Sequence, residues 1–352
     1  MINQFLEILN IISFEVIVLF GVFFTISFFW KNIYGLLSLK AYQSIQRLHQ
    51  DEVPRIGGLI IYLFLTITAC FAFDSQFLNI ILFSAIPIIL IGAKEDLFQN
   101  TSPKLRLTFM IVSASLFIYL LPTNLPEIDF PLLNQVLSFS FMKEIFFIFS
   151  ILVIINGNNL IDGVNGNMPL TNIVQLCAIA LVALTINDDY IAQTCFILSI
   201  PLVIFFIFNF PFGKIFSGDV GSYFYGFAIS ASVIYLFGKY DQLFSWNAVL
   251  ILIYPSIELL FSFIRKKMFE NKSPFTPDVK HLHSLIFRYF SKRLKLTNNS
   301  FVAIYLLPFI TAPFLVNLFT DDIFSILFSI FVIFVIYIFM YFYFLNLILR
   351  ND

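Results

Sequence analysis

Eleven long apolar segments make up most of the chain, and shorter polar stretches separate them. A helix needs about 20 apolar residues to cross a bilayer core, and tilt or a polar cavity lets a somewhat shorter segment cross. The chain has 60% apolar residues, 12% charged residues and a mean hydropathy of +0.93, whereas soluble domains average roughly 25% charged residues. These features predict an all-α protein, a polytopic membrane helix bundle with about 11 transmembrane helices that forms a single integral membrane domain over residues 1–352.

The predicted spans follow the hydropathy directly, and they cover residues 8–30, 57–73, 77–92, 105–121, 139–155, 168–186, 190–210, 222–237, 246–264, 300–319 and 323–349. The first span is too long for a signal peptide. It also has neither a basic leader nor a small-residue cleavage site, so we expect it to stay as a helix.

The basic residues are distributed unevenly between the two sides of the predicted bundle. Of the 20 Lys and Arg residues, only Lys143 and Lys239 fall on the side opposite to the others. Short cytoplasmic loops carry an excess of Lys and Arg. We therefore expect an N-out/C-in topology, in which the gaps after odd-numbered helices face the cytoplasm.

Polar residues are concentrated in five islands, all in gaps that this topology places on the cytoplasmic side. The islands cover residues 49–58, 94–106, 156–163, 213–222 and 273–283. Because all five would meet at one membrane face, they predict an active-site cleft there.

The second island places Glu95 and Asp96 next to the cations Lys104 and Arg106. Adjacent carboxylates beside cations suit a site that holds phosphates and a metal ion together. A solvated helix end explains this island equally well when it is considered alone.

The third island places three asparagines and Asp162 at membrane depth, where only a cavity or buried partners can satisfy them. Asn159 and Asp162 are three residues apart and share one face of a helix. Amide and carboxylate oxygens are ligands that Mg²⁺ accepts alongside water and phosphate oxygens. The structural alternative is a set of helix caps and turns.

The fourth island places Asp219 between Gly218 and Gly221, and glycines let the backbone approach a phosphate closely. Asp219 and Ser222 are also candidate N-caps for the following helix.

The fifth island contains His281 and His283, whose spacing does not place them on one helical face. No cysteine or third histidine lies near them, which argues against zinc and favours polar contacts to an anionic soluble substrate. Basic inner loops also occur for topology alone. Glu258, about two turns before the basic run at Arg265, has either a structural or a functional role.

Taken in order, the islands resemble the polyprenyl-phosphate N-acetylhexosamine-1-phosphate transferase family of bacterial membranes, which is glycosyltransferase family 4. The resemblance covers essentially the full chain. It rests on Pro54-Arg55-Ile56-Gly57-Gly58, Glu95-Asp96, Asn156-x-x-Asn159-x-x-Asp162-Gly163, Gly218-Asp219-Val220-Gly221-Ser222 and His281-Leu282-His283. The segment from Ser273 to Asp278 looks most like the undecaprenyl-phosphate GlcNAc-1-phosphate transferase branch rather than the phospho-N-acetylmuramoyl-pentapeptide transferase branch.

This resemblance implies an enzyme that transfers a sugar-1-phosphate from a UDP-sugar such as UDP-GlcNAc to undecaprenyl phosphate, giving undecaprenyl-diphospho-sugar and UMP. The implied setting is the bacterial cytoplasmic (inner) membrane, where this step primes O-antigen, lipopolysaccharide or other cell-envelope polymers. The implied partners are the UDP-sugar, undecaprenyl phosphate and the lipid bilayer, with no nucleic acid and with a homodimer left open.

The resemblance also implies roles for individual residues. Mg²⁺, with Mn²⁺ as an alternative, would bind Asn159 and Asp219. The catalytic residues would be Glu95, Asp96 and Asp162. The substrate-binding residues would be Arg55, Lys104, Asn156, His281 and His283.

Three residues depart from the family pattern. Glu95 replaces the usual first Asp, Asn165 stands where many relatives have an Asp, and Ser284 stands where many have another His. These departures leave open an inactive member that acts in assembly. A transporter or flippase is the other alternative, but transporters place such carboxylates near the bilayer midplane rather than at one face.

Overall fold

The computed structural model describes residues 13–37, 53–271, 273, 278–320 and 322–350. Regular secondary structure in these ranges is entirely helical, which confirms the all-α prediction. The start of the first predicted span, residues 49–52 of the first island and residues 274–277 of the fifth lie outside the described residues.

The helices are numbered in chain order. They are α1 (Ser13–Leu37), α2 (Gly57–Phe71), α3 (Gln76–Phe98), α4 (Pro103–Leu120), α5 (Pro131–Leu137), α6 (Ser140–Ile161), α7 (Asn167–Thr185), α8 (Asp189–Asn209), α9 (Gly218–Lys239), α10 (Ser245–Ile251), α11 (Ile253–Ile264), α12 (Leu282–Leu294), α13 (Phe301–Phe319) and α14 (Ile323–Leu349). A short π-helical turn, Arg265–Phe269, follows α11 directly.

The bundle contains several helices that could cross a membrane. Within the described part of the chain, eight helices are long and apolar enough by themselves, and the bent pair α10 and α11 raises the number to nine. The first two predicted spans correspond to shorter apolar helices, Ser13–Ile26 and Gly57–Phe71. A multi-pass membrane protein is therefore confirmed, while the count of 11 and the N-out orientation stay predictions.

The span predicted over residues 246–264 is not one straight helix, because α10 and the helical segment Ile253–Phe269 meet at an angle of 75°. Pro255 explains the break, since its ring has no N–H and clashes with the carbonyl of residue 251 in a continuous helix. The carbonyl of Ile251 instead accepts a hydrogen bond of 3.0 Å from the Gln175 side chain. Hydropathy alone cannot detect such a bend.

Helix α9 lies at the centre of the bundle. It packs against α2, α3, α6 and α7, and every residue from Val220 to Gly238 is buried. A helix that is apolar on all sides can place charged side chains only near its ends. In α9 these are Asp219 at the start and Lys239 at the end.

The start of α2 approaches the start of α9 closely enough for their backbones to touch. The N–H groups of Gly57 and Gly58 donate to the carbonyls of Phe216 and Ser217, at 3.0 and 2.9 Å. A Cβ atom on Gly58 would lie 2.1 Å from the backbone nitrogen of Gly221. Glycine at position 58 is therefore required by the close approach, and it joins the first island to the fourth.

The substitution Gly58→Ala is expected to lower the free energy of unfolding by about 1–3 kcal/mol, because the added methyl group forces two helices apart. The measurement is thermal unfolding of the purified protein in detergent. Gly21→Ala is the control, since a Cβ atom there meets nothing within 4 Å. Equal unfolding temperatures for the two variants would contradict this packing.

Candidate active site

Segments far apart in sequence meet at the N-terminal end of α9. The described parts of all five islands reach this end of the bundle, each through a contact to another island. Three carboxylates, those of Asp96, Asp162 and Asp219, come together there. The convergence that the sequence predicted is therefore present, and its details differ from the prediction in several places.

Asp96, near the end of α3, caps the N-terminus of α9. Its two carboxylate oxygens accept hydrogen bonds from the backbone N–H groups of Asp219 and Val220, at 2.8 and 3.1 Å. The first N–H groups of a helix have no partner within the helix, and a negative charge beside them is stabilising. Gly218 permits this contact, because it has a φ of +67° and a Cβ atom there would lie 2.3 Å from the Asp96 carboxylate.

The expectation that Asp219 or Ser222 is the N-cap of this helix is wrong. The residue at the N-cap position is Ser217, and its side chain makes no capping hydrogen bond. A carboxylate from another helix takes that role, which a sequence pattern local to α9 cannot indicate.

Asp219 itself is held by Tyr223, which lies outside the predicted islands, and by Arg106, a cation of the second island for which the sequence predicted no binding role. The Tyr223 hydroxyl donates to its Oδ2 at 2.6 Å, and the Arg106 guanidinium lies 3.5 Å from the same oxygen. Arg106 also lies 3.9 Å from Oε1 of Glu95. One guanidinium thus sits between two carboxylates and partly compensates their mutual repulsion.

Lys104, the cation chosen from the sequence, is exposed near the start of α4. Residues 104 and 106 are about 200° apart around a helix, so the two side chains point to different sides. A signal for Tyr223 was present in the sequence, because it follows Asp219 by four residues and shares its helical face.

Glu95 has two separate contacts. One carboxylate oxygen, Oε2, accepts a hydrogen bond of 2.9 Å from the backbone N–H of Thr101 in the turn between α3 and α4. The other oxygen faces Arg106. The Glu95 side chain therefore holds this turn while it still contributes charge to the site.

Asp162 and Asn159 reach the site from the C-terminal end of α6. The Ser217 hydroxyl donates to Asp162, and the Ser222 hydroxyl donates to Oδ1 of Asn159 at 2.9 Å. Burial raises the pKa of Asp162 to about 7, although the hydrogen bond from Ser217 and the charge of Arg55 lower it. Near neutral pH its protonated and ionised forms are therefore both populated, and the ionised form can accept a proton.

Arg55 and Asn156 are placed differently from each other. Arg55 is exposed, yet it acts electrostatically on Asp162, which places its charge beside the site. The Asn156 amide donates to the carbonyl of Leu152 at 2.8 Å and approaches the sulfur of Met110, so its described contacts lie on α6 and α4. Binding roles for both residues stay predictions.

The two histidines are buried rather than open to solvent. Nδ1 of His281 lies 3.1 Å from Oε1 of Glu258, and the rings of His281 and His283 stack in parallel with centroids 5.6 Å apart. Burial lowers the pKa of His283 to about 4, so this ring is neutral at pH 7. Their expected contact with a soluble substrate stays a prediction.

Asn165, one of the departures from the family pattern, has a structural environment that explains an amide. It is buried, and its side-chain nitrogen donates to the carbonyl of Pro211 at 3.4 Å. A carboxylate cannot donate to a carbonyl. The residue therefore helps hold the loop before α9.

The residues expected to bind Mg²⁺ carry oxygen atoms of the kind that this ion accepts, and the metal site itself stays a prediction. Asp219 and Asn159 supply hard oxygen atoms, and Ser222 connects the two residues through its contacts to Asn159 Oδ1 and the Asp219 carbonyl. The described residues contain no group of three or more His, Cys, Asp or Glu side chains arranged for a metal. Mg²⁺ commonly uses one or two carboxylates and takes its remaining ligands from water and substrate phosphates, so this sparse set agrees with its chemistry.

Residues 78–237, which include the second, third and fourth islands, match the model of glycosyl transferase family 4. The chain is 29% identical over 299 residues to a probable undecaprenyl-phosphate N-acetylglucosaminyl 1-phosphate transferase of Bacillus subtilis (strain 168), which covers 82% of this chain and 80% of that protein. It is 28% identical over 272 residues to an undecaprenyl-phosphate alpha-N-acetylglucosaminyl 1-phosphate transferase of Thermotoga maritima. That match covers 76% of this chain and 80% of the Thermotoga protein. An undecaprenyl-phosphate alpha-N-acetylglucosaminyl 1-phosphate transferase of Escherichia coli (strain K12) is 23% identical to the chain over 271 residues, which are 74% of this chain and 72% of that protein.

The substitution Asp96→Ala is expected to lower the free energy of unfolding by about 1–2 kcal/mol, because the first turn of α9 loses both of its acceptors. Asp96→Asn keeps one acceptor oxygen and should lie between the wild type and the Ala variant. Thermal unfolding in detergent measures the effect, with the exposed Lys104→Ala as control. If Asp96→Ala unfolds at the temperature of the control, Asp96 does not cap α9.

Proposed function

We propose that this chain is a member of glycosyl transferase family 4 and that it transfers a sugar-1-phosphate from a UDP-sugar to undecaprenyl phosphate. An oxygen of the lipid phosphate forms a bond to the β-phosphorus of the UDP-sugar, and the bond from that phosphorus to the bridging oxygen breaks. The products are undecaprenyl-diphospho-sugar and UMP. The donor is an N-acetylhexosamine nucleotide, and the step primes cell-envelope polysaccharide synthesis at the bacterial cytoplasmic membrane.

The observation that carries the proposal is the meeting of Asp96, Asp162 and Asp219 beside Arg55 and Arg106 at one end of the bundle. Phosphoryl transfer between two anionic substrates needs charge stabilisation and positioning more than it needs covalent chemistry. A cluster of carboxylates and guanidinium groups at the membrane face supplies both for a lipid phosphate and a soluble nucleotide.

Individual residues have distinct roles in this proposal. Asp162 positions the lipid phosphate and takes a proton from it, because its pKa near 7 is matched to neutral conditions. Arg106 and Arg55 bind phosphate oxygens, with Arg106 poised between Glu95 and Asp219. When bound, Mg²⁺ held by Asp219 and Asn159 would neutralise charge on the phosphates.

The bond that breaks is between phosphorus and oxygen, so the anomeric carbon of the sugar keeps its configuration. No glycosidase-type pair of carboxylates is needed. The carboxylates of the site are thus free to orient the phosphates and the metal ion.

The reaction is tested with purified protein in detergent, given labelled UDP-GlcNAc, undecaprenyl phosphate and Mg²⁺. We expect a labelled lipid product together with UMP. Because detergent removes any transmembrane gradient, UMP release under these conditions also separates a transferase from a transporter. Absence of product across a panel of UDP-N-acetylhexosamines would contradict the proposal.

The substitution Asp219→Asn is expected to reduce turnover by at least about 100-fold, because it removes the negative charge that would bind the metal ion and that pairs with Arg106. Membrane insertion should be unchanged. Glu127→Gln is the control, since Glu127 is mostly exposed and pairs with Lys143 away from the site. An active Asp219→Asn protein would refute its assignment as a metal ligand.

A further inference from the structure

Glu258 on α11 is a buried carboxylate that the proposed reaction does not use. Only 1% of its surface is exposed, and it lies in a segment of the bent apolar pair α10 and α11. A carboxylate in such a segment is costly and calls for a functional explanation. The basic run that begins at Arg265 does not provide it, because Arg265 pairs with Glu270 and Asp278 instead.

Two groups of the histidine segment, residues 281–283, contact Glu258. Its Oε1 accepts a hydrogen bond of 3.2 Å from the backbone N–H of Leu282 and lies 3.1 Å from Nδ1 of His281. Helix α12 begins at Leu282 and has no side-chain cap of its own. Because a carboxylate only accepts hydrogen bonds, Nδ1 of His281 carries the proton in this contact.

The histidine segment in turn contacts the turn that carries Asp162. His281 stacks on His283, and a Cβ atom on Gly163 would lie 2.3 Å from Nε2 of His283. Gly163 directly follows Asp162. The imidazole of His283 therefore packs against the backbone of the residue next to a proposed catalytic carboxylate.

The same helix, α11, holds the other flank of that turn. A Cβ atom on Gly157 of α6 would lie 2.2 Å from the carbonyl oxygen of Pro255, so α6 and α11 are in backbone contact one turn before Glu258. The Asn167 amide donates to the Tyr254 hydroxyl at 3.1 Å and to the carbonyl of Ile161 at 2.8 Å. Helix α11 therefore contacts the segments on either side of the Asp162 turn directly, and it also contacts this turn indirectly through His281 and His283.

We propose that Glu258 is a positioning residue, which fixes the Asp162 turn through His281 and His283 and so sets the rate of the transfer reaction. This inference rests on the proposed function for its kinetic part. Asp278 does not duplicate the role, since it lies 3.8 Å from the other ring nitrogen of His281 and is engaged by Arg265. Removing the Glu258 carboxylate would leave a buried imidazole and the first N–H of α12 without an acceptor.

The kinetic test compares Glu258→Ala with Glu258→Gln. The Gln side chain keeps an oxygen that accepts from both Leu282 and His281, so kcat should stay within about 3-fold of the wild type. The Ala variant removes it, and kcat should fall about 10- to 100-fold, because residues that orient site groups typically have effects of that size. KM for both substrates should change by less than about 3-fold.

The matched control is Asp188→Ala at the opposite end of the bundle. Asp188 is also buried, accepts from the N–H of Ile191 and pairs with Lys239, so its loss destabilises the fold without touching the site. It should lower the unfolding temperature and leave kcat unchanged. A wild-type kcat in Glu258→Ala, or an equal loss in the Gln and Ala variants, would overturn the positioning role.

Hydrogen exchange tests the same inference without any assay of turnover. Amide exchange over residues 159–167 should accelerate in Glu258→Ala but not in Glu258→Gln or Asp188→Ala. Unchanged exchange in Glu258→Ala would overturn the inference. An inactive wild-type protein that shows the expected exchange pattern would instead count against the proposed function and leave the positioning contact intact.

Discussion

The architecture depends on one constraint, the burial of helix α9 from Val220 to Gly238. Because α9 is surrounded by other helices over that length, the unpaired N–H groups of its first turn need acceptors from the protein, and the partly exposed Asp219 carboxylate also contacts protein groups. Asp96 satisfies the N–H groups, while Tyr223 and Arg106 hold the Asp219 carboxylate. The same requirement that stabilises the helix therefore brings distant segments of the chain to one point.

The charged side chains at the N-terminal end of α9 suit the binding of phosphate groups. Burial, and to a smaller extent the charge of Asp219, raises the pKa of Asp162, while Arg55 acts in the opposite direction. A site in which carboxylates repel one another and cations stand beside them is suited to a divalent ion and phosphate groups. The two buried histidines pack beside the turn that carries Asp162, and Glu258 holds His281 in place.

The sequence predicts the helical spans well, because hydropathy averages over about 20 residues and is insensitive to detail. It cannot predict the bend at Leu252, which depends on Pro255 and on the distant side chain of Gln175, which donates a hydrogen bond to the freed carbonyl of Ile251. It also predicts that the islands meet, since one-sided topology follows from charge distribution. Which cation faces the acids is decided by helix phase, so Lys104 was chosen where Arg106 makes the contacts.

Capping and buried pairing were the least predictable features. The carboxylate that caps the first N–H groups of α9 comes from α3, and the partner of His281 comes from an apolar segment, so neither signal is local in the sequence. Contacts between distant segments can be identified only from the tertiary structure, whereas motifs within one segment can be identified from the sequence.

The most direct test of this account is the proximity of α6 to the loop before α9. In a chain without its three native cysteines, Asp162→Cys and Ser217→Cys are introduced together and the rate of disulfide formation in membranes is measured. Because these two side chains are in hydrogen-bond contact, the pair should cross-link readily, while Asp188→Cys with Ser217→Cys should not. Equal rates for the two pairs, or no cross-link between positions 162 and 217, would contradict the convergence on which the proposed site depends.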